Sequence, residues 1–503
     1  MNDFRSILKN IIKMDNKIND LSEYGVYKSS INRYDTGVFF IVKENNSKKL
    51  IICDDNSNVK NLFEGINEIV EGINIKVCYL NNNNAKELRK IFSFTAPKSL
   101  KDCDITVGLG DRLGLATQGH LKLLKEYKFF PVLAQQSIRE LNLTGRTYKD
   151  VLDDATWAVF QEGYKDGYGA DGDHLKTFEE IEMALDNGFT MLTLDCSEHI
   201  DNTIINMEKD EIDKLYSGID LEKRKNYESK YLGKKKINGL DIEIDLESLK
   251  EIVLIYGKAI DFTEEVYKKY LNKNKDIVFE LSIDETVMTT SLEAHFVTAD
   301  ELIYRGVEIN NLAPRFCGEF QKGIDYIGDV EEFRKEFRGH CKIAEHFDYK
   351  ISVHSGSDKF SIFEVVGQEA KGKYHLKTAG TNWLEAVRVI AKLSPKLYRK
   401  MHKFAVNNVN EARKYYHVGA KEENIKNIDT VEDDKLHEYM DKDDSRQYLH
   451  ITYGLILNDK DKDDKYTFRD IIYNILNENE EDYGLGLKKH IGRHLDNLNV
   501  PKV

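Results

Sequence analysis

From Asp104 onward the chain repeats one unit: a short apolar run, a polar or glycine-rich tip, then a stretch with apolar residues every three or four positions. The runs are Ile105–Leu109, Phe130–Ala134, Tyr168–Asp171, Met191–Leu194, Ile277–Ile283, Leu312–Phe316, Lys350–Val353 and Tyr374–Lys377. Between them, segments such as TFEEIEMALDNG, TADELIYRG and NWLEAVRVIAKL carry the period of helices packed along one face. Strands alternating with helices imply a parallel sheet, and these repeats suit a closed (β/α)8 barrel of about 250 residues. An open doubly wound sheet is the competing arrangement. The polar residues favour the barrel, because they fall at the C-terminal end of almost every run: Asp111-Arg112, Gln135-Gln136, Asp171 to His174, Asp195, Asp284-Glu285, Arg315, His354-Ser355 and Lys377-Thr378. In a parallel barrel these ends converge on one mouth. A lone Asp after a strand is usually a helix N-cap, but capping does not require His, Arg and Gln.

The flanks read differently. Residues 1–100 form a small α/β domain, with strands expected at Gly37–Val42, Leu50–Cys53 and Ile75–Leu80 and helical spacing over Asn61–Ile73. The barrel takes 101–199 and 276–400. The highly charged stretch 200–275 is expected to be an inserted, mostly helical subdomain and a candidate lid. Residues 401–503 form a helical C-terminal extension whose charge runs read as solvated faces.

Composition narrows the function. Hydrophobic residues at 41% and charged residues at 32% suit a folded soluble protein. A net charge of −14 disfavours nucleic-acid and anionic-membrane partners, which need a basic face, but leaves a small-molecule anion open. The six cysteines are scattered without a CxxC pair, which suits reduced thiols. No apolar run approaches the roughly 18 residues needed to span a bilayer, and no secretory signal is evident, so a cytoplasmic location is expected.

Three histidines lie where barrel mouths carry chemistry. His174 closes the third run and His354 the seventh, while His295 sits in the long segment after the fifth. Three imidazoles with an open position would suit a catalytic divalent cation (Zn, Mn, Co or Ni) that polarises a carbonyl oxygen. Separately hydrogen-bonded histidines are the plainer alternative. Among the acids, Asp173 adjoins His174 and Glu285 ends the fifth run; flanking carboxylates could work on both faces of one carbon. Asp171, Asp195 and Asp284 compete for these roles or for orienting a metal-bound His. Adjacent strand residues point to opposite faces, so Asp173 reaches the mouth only if its strand has broken. Ser355–Lys359 and Thr378–Thr381 stand where barrels commonly hold a phosphate or carboxylate, with Arg112, Gln136, Asp195, Arg315, Ser355 and Lys377 as candidate substrate contacts. The glycines of GLGDRLGLA lack dinucleotide-fingerprint spacing.

The strings GLGDRLGLATQGH, VLAQQSIRELNLTGRTYKDVLDDATWAVFQEGYKDGYGADGDHLKT, TLDCSEHI, RGVEINNLAPRF, KISVHSGSDKF and HLKTAGTNWLEAVRV resemble the tagaturonate epimerases of bacterial hexuronate breakdown, over roughly residues 100–405. The resemblance implies a metal-dependent isomerase interconverting D-tagaturonate and D-fructuronate. It implies Asp173 and Glu285 as the proton-handling pair and His174, His295 and His354 as metal-binding residues. Inversion at a carbon β to a ketone implies either retro-aldol cleavage with re-addition or direct proton removal and return. A ketohexose epimerase, sugar isomerase or aldolase would use similar ligands, and a non-catalytic sugar-binding protein would not need the paired carboxylates.

Overall fold

In a computed structural model the chain is described over residues 3–13, 20–54 and 59–503. The N-terminal strands β1 (Asn32–Tyr34), β2 (Gly37–Glu44), β3 (Ser47–Cys53), β4 (Gly65–Val70) and β5 (Ile73–Cys78) form an antiparallel sheet of order β1-β2-β3-β5-β4. Both faces of β2 are buried. Val38, Phe40 and Val42 meet Phe4, Leu8 and Ile11, whereas Phe39 and Ile41 meet Leu88 of the helix Asn82–Ile91 and Trp157 and Phe160 of a barrel helix. That second contact fastens the sheet to the barrel.

The helix expected over Asn61–Ile73 is instead strand β4 and its turn. Leu62, Phe63, Ile66, Ile69, Val70 and Ile73 do fall at helical spacing. Glu71 and Gly72 both take positive φ, 49° and 83°, and close a two-residue hairpin that pairs Val70 with Ile73. Ile66 and Ile69 are left exposed, so their spacing reports no buried helical face.

The other expected strands form at their runs: β6 (Ile105–Leu109), β7 (Phe130–Ser137), β8 (Gly169–Leu175), β9 (Met191–Asp195), then, after the hairpin β10 (Gly233–Ile237) and β11 (Leu240–Ile244), β12 (Val278–Ile283), β13 (Asn311–Pro314), β14 (Lys350–Val353) and β15 (Tyr374–Thr378). Apart from the hairpin they close an eight-stranded parallel barrel in chain order, with β15 pairing β6. Helices between the strands cover its outside, making this a (β/α)8 barrel.

Residues 200–275 hold the hairpin and the helices Lys209–Ser217, Leu221–Tyr231 and Leu246–Val266, with Tyr227, Ile242, Leu249 and Ile260 packed into the main core. None of these residues lines the mouth cavity. Residues 401–503 are largely helical with exposed charge runs, and their apolar faces pack on the barrel. Met401, Leu449, Ile456 and Leu487 share a core with Trp383, Val387 and Ile390 of the barrel helix Thr381–Leu393, and Trp383 Nε1 donates to Leu449 O at 2.8 Å. That packing carries the helix Asp443–Ile451 to the mouth. Among the described residues no helix is long and apolar enough to cross a membrane.

A buried ionic knot ties the C-terminal helix Glu480–Asn497 to the loop after β14. Asp358 accepts from Arg446 Nη2 at 2.7 Å and from His490, and its own N–H donates to His494 Nε2 at 2.9 Å. That last bond occupies the nitrogen a metal would need, so the Asp358–His490–His494 cluster reads as structural. Burial disfavours the His490 cation, but Asp358 and Glu385 outweigh it and raise the imidazole to about 9. A folded value above the ordinary ~6.5 contributes stability in full below pH ~6.5, and that contribution is lost as pH rises through about 9. Wild type should lose up to about 3 kcal/mol across this window, and His490→Gln should lack that part of the slope. Unfolding midpoints between pH 6 and 9.5 would check this; parallel curves would contradict it.

Candidate active site

The third strand solves the problem that adjacent residues pose. Along the β8–β9 ladder Gly172 pairs with Leu192 and Leu175 with Leu194, so Asp173 and His174 together face a single residue. His174 takes φ 55° there, a left-handed conformation that side chains rarely adopt. The bulge turns both Asp173 and His174 into the mouth cavity. Ser355, following His354, is also left-handed, with φ 51°.

His174, His354 and Asp284 bring ligand atoms within 4.8 Å of one another. Each imidazole is held from behind by a buried carboxylate. His174 Nδ1 lies 2.8 Å from Asp173 Oδ1, and His354 Nε2 lies 2.7 Å from Glu280 Oε1. His354 Nδ1 then stands 3.3 Å from Asp284 Oδ2 with no hydrogen-bond partner. Carboxylate-held imidazoles with a free second nitrogen are what a divalent cation requires. Burial alone would lower the His354 imidazole, yet Asp284 and Glu280 outweigh it and raise it to about 10. Burial pushes Asp171 up to about 6, with Asp173 and Glu280 adding to it against Lys377.

Lys377 is the internal counter-charge. It is 4% exposed and donates to Asp171 at 2.8 Å, to Asp173 at 2.6 Å and to Thr193, with Glu280 Oε1 at 2.9 Å. One ammonium beside two neutral imidazoles cannot balance Asp171, Asp173, Glu280 and Asp284, so a divalent cation in place of the imidazole protons fits the charge of the site as well as its donors. A second group, His174, Asp195 and Glu285, is also close enough for a cation. There Lys176 already stands 3.5 Å from Asp195 and 4.0 Å from Glu285, filling the cationic role.

The cavity holds about 680 Å³ of space free of protein atoms, open solvent at the mouth included. Of the residues expected there, Asp173, Glu285, His174, His354, Arg112, Ser355 and Lys377 line it. Asp195 lies beside it, where its Oδ1 caps Ser197 N at 2.8 Å. Three expectations are corrected. His295 is in the first turn of the helix Leu292–Tyr304 and points away from the mouth, with Nδ1 2.8 Å from His340 and Nε2 2.6 Å from the Tyr349 hydroxyl. The chain after β12 enters this helix at Leu292, which turns residue 295 toward the neighbouring helix Val330–Phe347. Gln136 is buried outside the cavity while its neighbour Gln135 lines it, as strand alternation dictates. Arg315 spends its guanidinium on the Thr286 carbonyl and does not reach the cavity.

His295→Phe is therefore expected to leave kcat within about twofold while lowering stability by about 1–3 kcal/mol, as His340 and Tyr349 lose their partner. Initial rates and denaturant unfolding check the pair; a large loss of rate with full stability would contradict this placement.

The cavity also has lining residues that sequence reasoning passed over: Arg139, Glu140, Lys322 and His450. Glu140 is the partner of Arg112, with Oε1 at 2.7 Å. Arg139 and Glu140 sit just past the Gln135-Gln136 tip and could have been found as a continuation of that strand end. Lys322 and His450 carry no local signal, because one lies in an irregular loop and the other in a helix far along the chain.

Comparison with known proteins gives the family. The tagaturonate epimerase family profile matches residues 27–498. A tagaturonate/fructuronate epimerase of Thermotoga maritima is 39% identical over 481 residues, 94% of this chain and 97% of that one. Crystal structures of the fructuronate-tagaturonate epimerase UxaE from Cohnella laeviribosi, native and with glycerol, superpose with TM-score 0.93 at 45% identity, covering 99% of both chains. The chain belongs to the tagaturonate epimerase family, isomerases that act on carbohydrate derivatives.

Proposed function

We propose that this chain interconverts D-tagaturonate and D-fructuronate, using a divalent cation held by His174, His354 and Asp284. The observation that carries the reading is the pairing of two carboxylate-held imidazoles around Asp284, in a cavity also lined by Arg112, Lys322 and Arg139. The relatives named above act on these sugar acids. When bound, the cation supplies Lewis-acid stabilisation of charge developing on the substrate's ketone oxygen.

The chain's own residues do the rest. Glu285 is exposed at the rim and takes the proton from the hydroxyl of the carbon β to the ketone. The bond between that carbon and its neighbour next to the ketone breaks, leaving its electron pair on an enediolate and an aldehyde on the other fragment. The aldehyde turns, the enediolate attacks its other face, and Glu285 returns the proton, so atoms and charge balance. Asp173 makes a poor base: burial would raise it, but Lys377 and His174 outweigh that and hold it well below the usual carboxylate range. Its role is to hold His174. Lys377 in turn holds Asp173. Free thiols at Cys78, Cys103, Cys196, Cys317 and Cys341 fit a reducing cytoplasm.

The test is conversion of D-fructuronate in deuterium oxide, followed by NMR. D-tagaturonate without deuterium at the inverted carbon is expected. Deuterium at that carbon would sink the cleavage route, and a shifted carbonyl or released fragments would replace the epimerase reading with an isomerase or aldolase.

A further inference from the structure

The mouth cavity that holds His174 and His354 has a basic end, lined by Arg112, Arg139 and Lys322. Arg112, 2% exposed, gives Nε and Nη2 to Glu140 Oε1 at 2.9 and 2.7 Å, and its guanidinium lies 4.0 Å over the Tyr453 ring. Its Nη1 is buried with no hydrogen-bond partner. Lys322 donates to the neutral Ser355 hydroxyl at 2.9 Å, and Arg139 stacks at 4.9 Å over Tyr416. Arg112 is thus paired with Glu140, and among the described residues neither Lys322 nor Arg139 forms an ion pair.

His450 completes this end. It is 2% exposed, and neither ring nitrogen has a partner. The ring sits between two glycines: a Cβ at Gly380 would come 2.3 Å from Nε2, and one at Gly323 would come 2.7 Å from Nδ1. Gly380 caps the N-terminus of the helix Thr381–Leu393, whose Thr381 Oγ1 is likewise buried and unpartnered. A helix N-terminus attracts anions, and buried donors persist unpaired where a ligand completes them.

We propose that Arg112, Lys322 and His450 form a carboxylate subsite that selects a sugar acid over the neutral ketose of the same shape. The C-terminal region, through His450 and Tyr453, therefore builds part of the specificity pocket. This inference rests on the uronate reading above. A carboxylate here would meet Arg112 Nη1, the Lys322 ammonium and one imidazole N–H, leaving the ketone toward His354.

Lys322 is the residue to remove, because losing it strands no buried acid, whereas removing Arg112 would leave Glu140 unpaired. Lys322→Met should raise KM for D-fructuronate by about 30- to 100-fold with kcat within about threefold, the pattern of lost uniform binding. Lys322→Arg should recover most of that loss, and inhibition by D-fructose should change by less than about twofold. An unchanged KM, or a fall in kcat at fixed KM, would overturn the subsite. Calorimetric binding of D-fructuronate to wild type and Lys322→Met separates the two ideas. No turnover by wild type with charge-dependent binding would sink the proposed function and keep the subsite; equal binding by both proteins would sink the subsite.

Discussion

Replacing His354 by alanine is expected to empty the metal site and lower kcat for D-fructuronate by about 10³-fold. The imidazole contributes Nδ1 beside Asp284, and its other nitrogen is fixed by Glu280 at 2.7 Å. Lewis-acid stabilisation is worth several kcal/mol, and each 1.36 kcal/mol is tenfold in rate, which gives the magnitude. The variant leaves Glu280 without its imidazole, but Lys377 still stands 2.9 Å from that carboxylate, so the barrel is expected to fold. Metal content by mass spectrometry and rate measured on the same sample decide the matter: retained metal with lost rate would make His354 a catalytic group rather than a ligand. Asp173→Asn should act through His174 instead, weakening metal affinity by about 10- to 100-fold, as loss of an orienting partner does.

Glu285→Gln separates proton transfer from metal binding. The side chain lies at the rim, 43% exposed, with Lys176 Nζ 4.0 Å away, so the substitution disturbs little packing. If Glu285 is the base, kcat should fall by about 10³-fold, within the usual 10²–10⁴ range for such groups, at unchanged metal content. Loss of metal together with rate would instead place the cation at the His174–Asp195–Glu285 group.

Much of this was legible in the chain. The apolar runs and helical spacings predict the barrel because parallel strands buried on both sides read as continuous apolar stretches. Polar tips locate the mouth, and His174, His354, Asp173, Arg112 and Lys377 follow from it. Other features needed three dimensions. A helical spacing over Asn61–Ile73 outweighed the Glu71–Gly72 turn because both patterns fit the same apolar residues. His295 reads as a loop ligand until the helix after β12 is known to begin at Leu292. Whether Gln135 or Gln136 faces inward depends on register, which a single residue reverses. Asp284 becomes a ligand candidate only when β12 and β14 set its carboxylate beside His354. His450 lies far from the barrel in sequence, and packing of the C-terminal helices alone brings it to the mouth.

The most direct measurement strips wild-type protein with a chelator, then follows D-fructuronate to D-tagaturonate before and after a divalent cation is restored, with His354→Ala alongside. The account predicts loss of turnover on stripping, recovery on reconstitution, and no recovery in the variant. Full turnover by metal-free wild-type protein would contradict it.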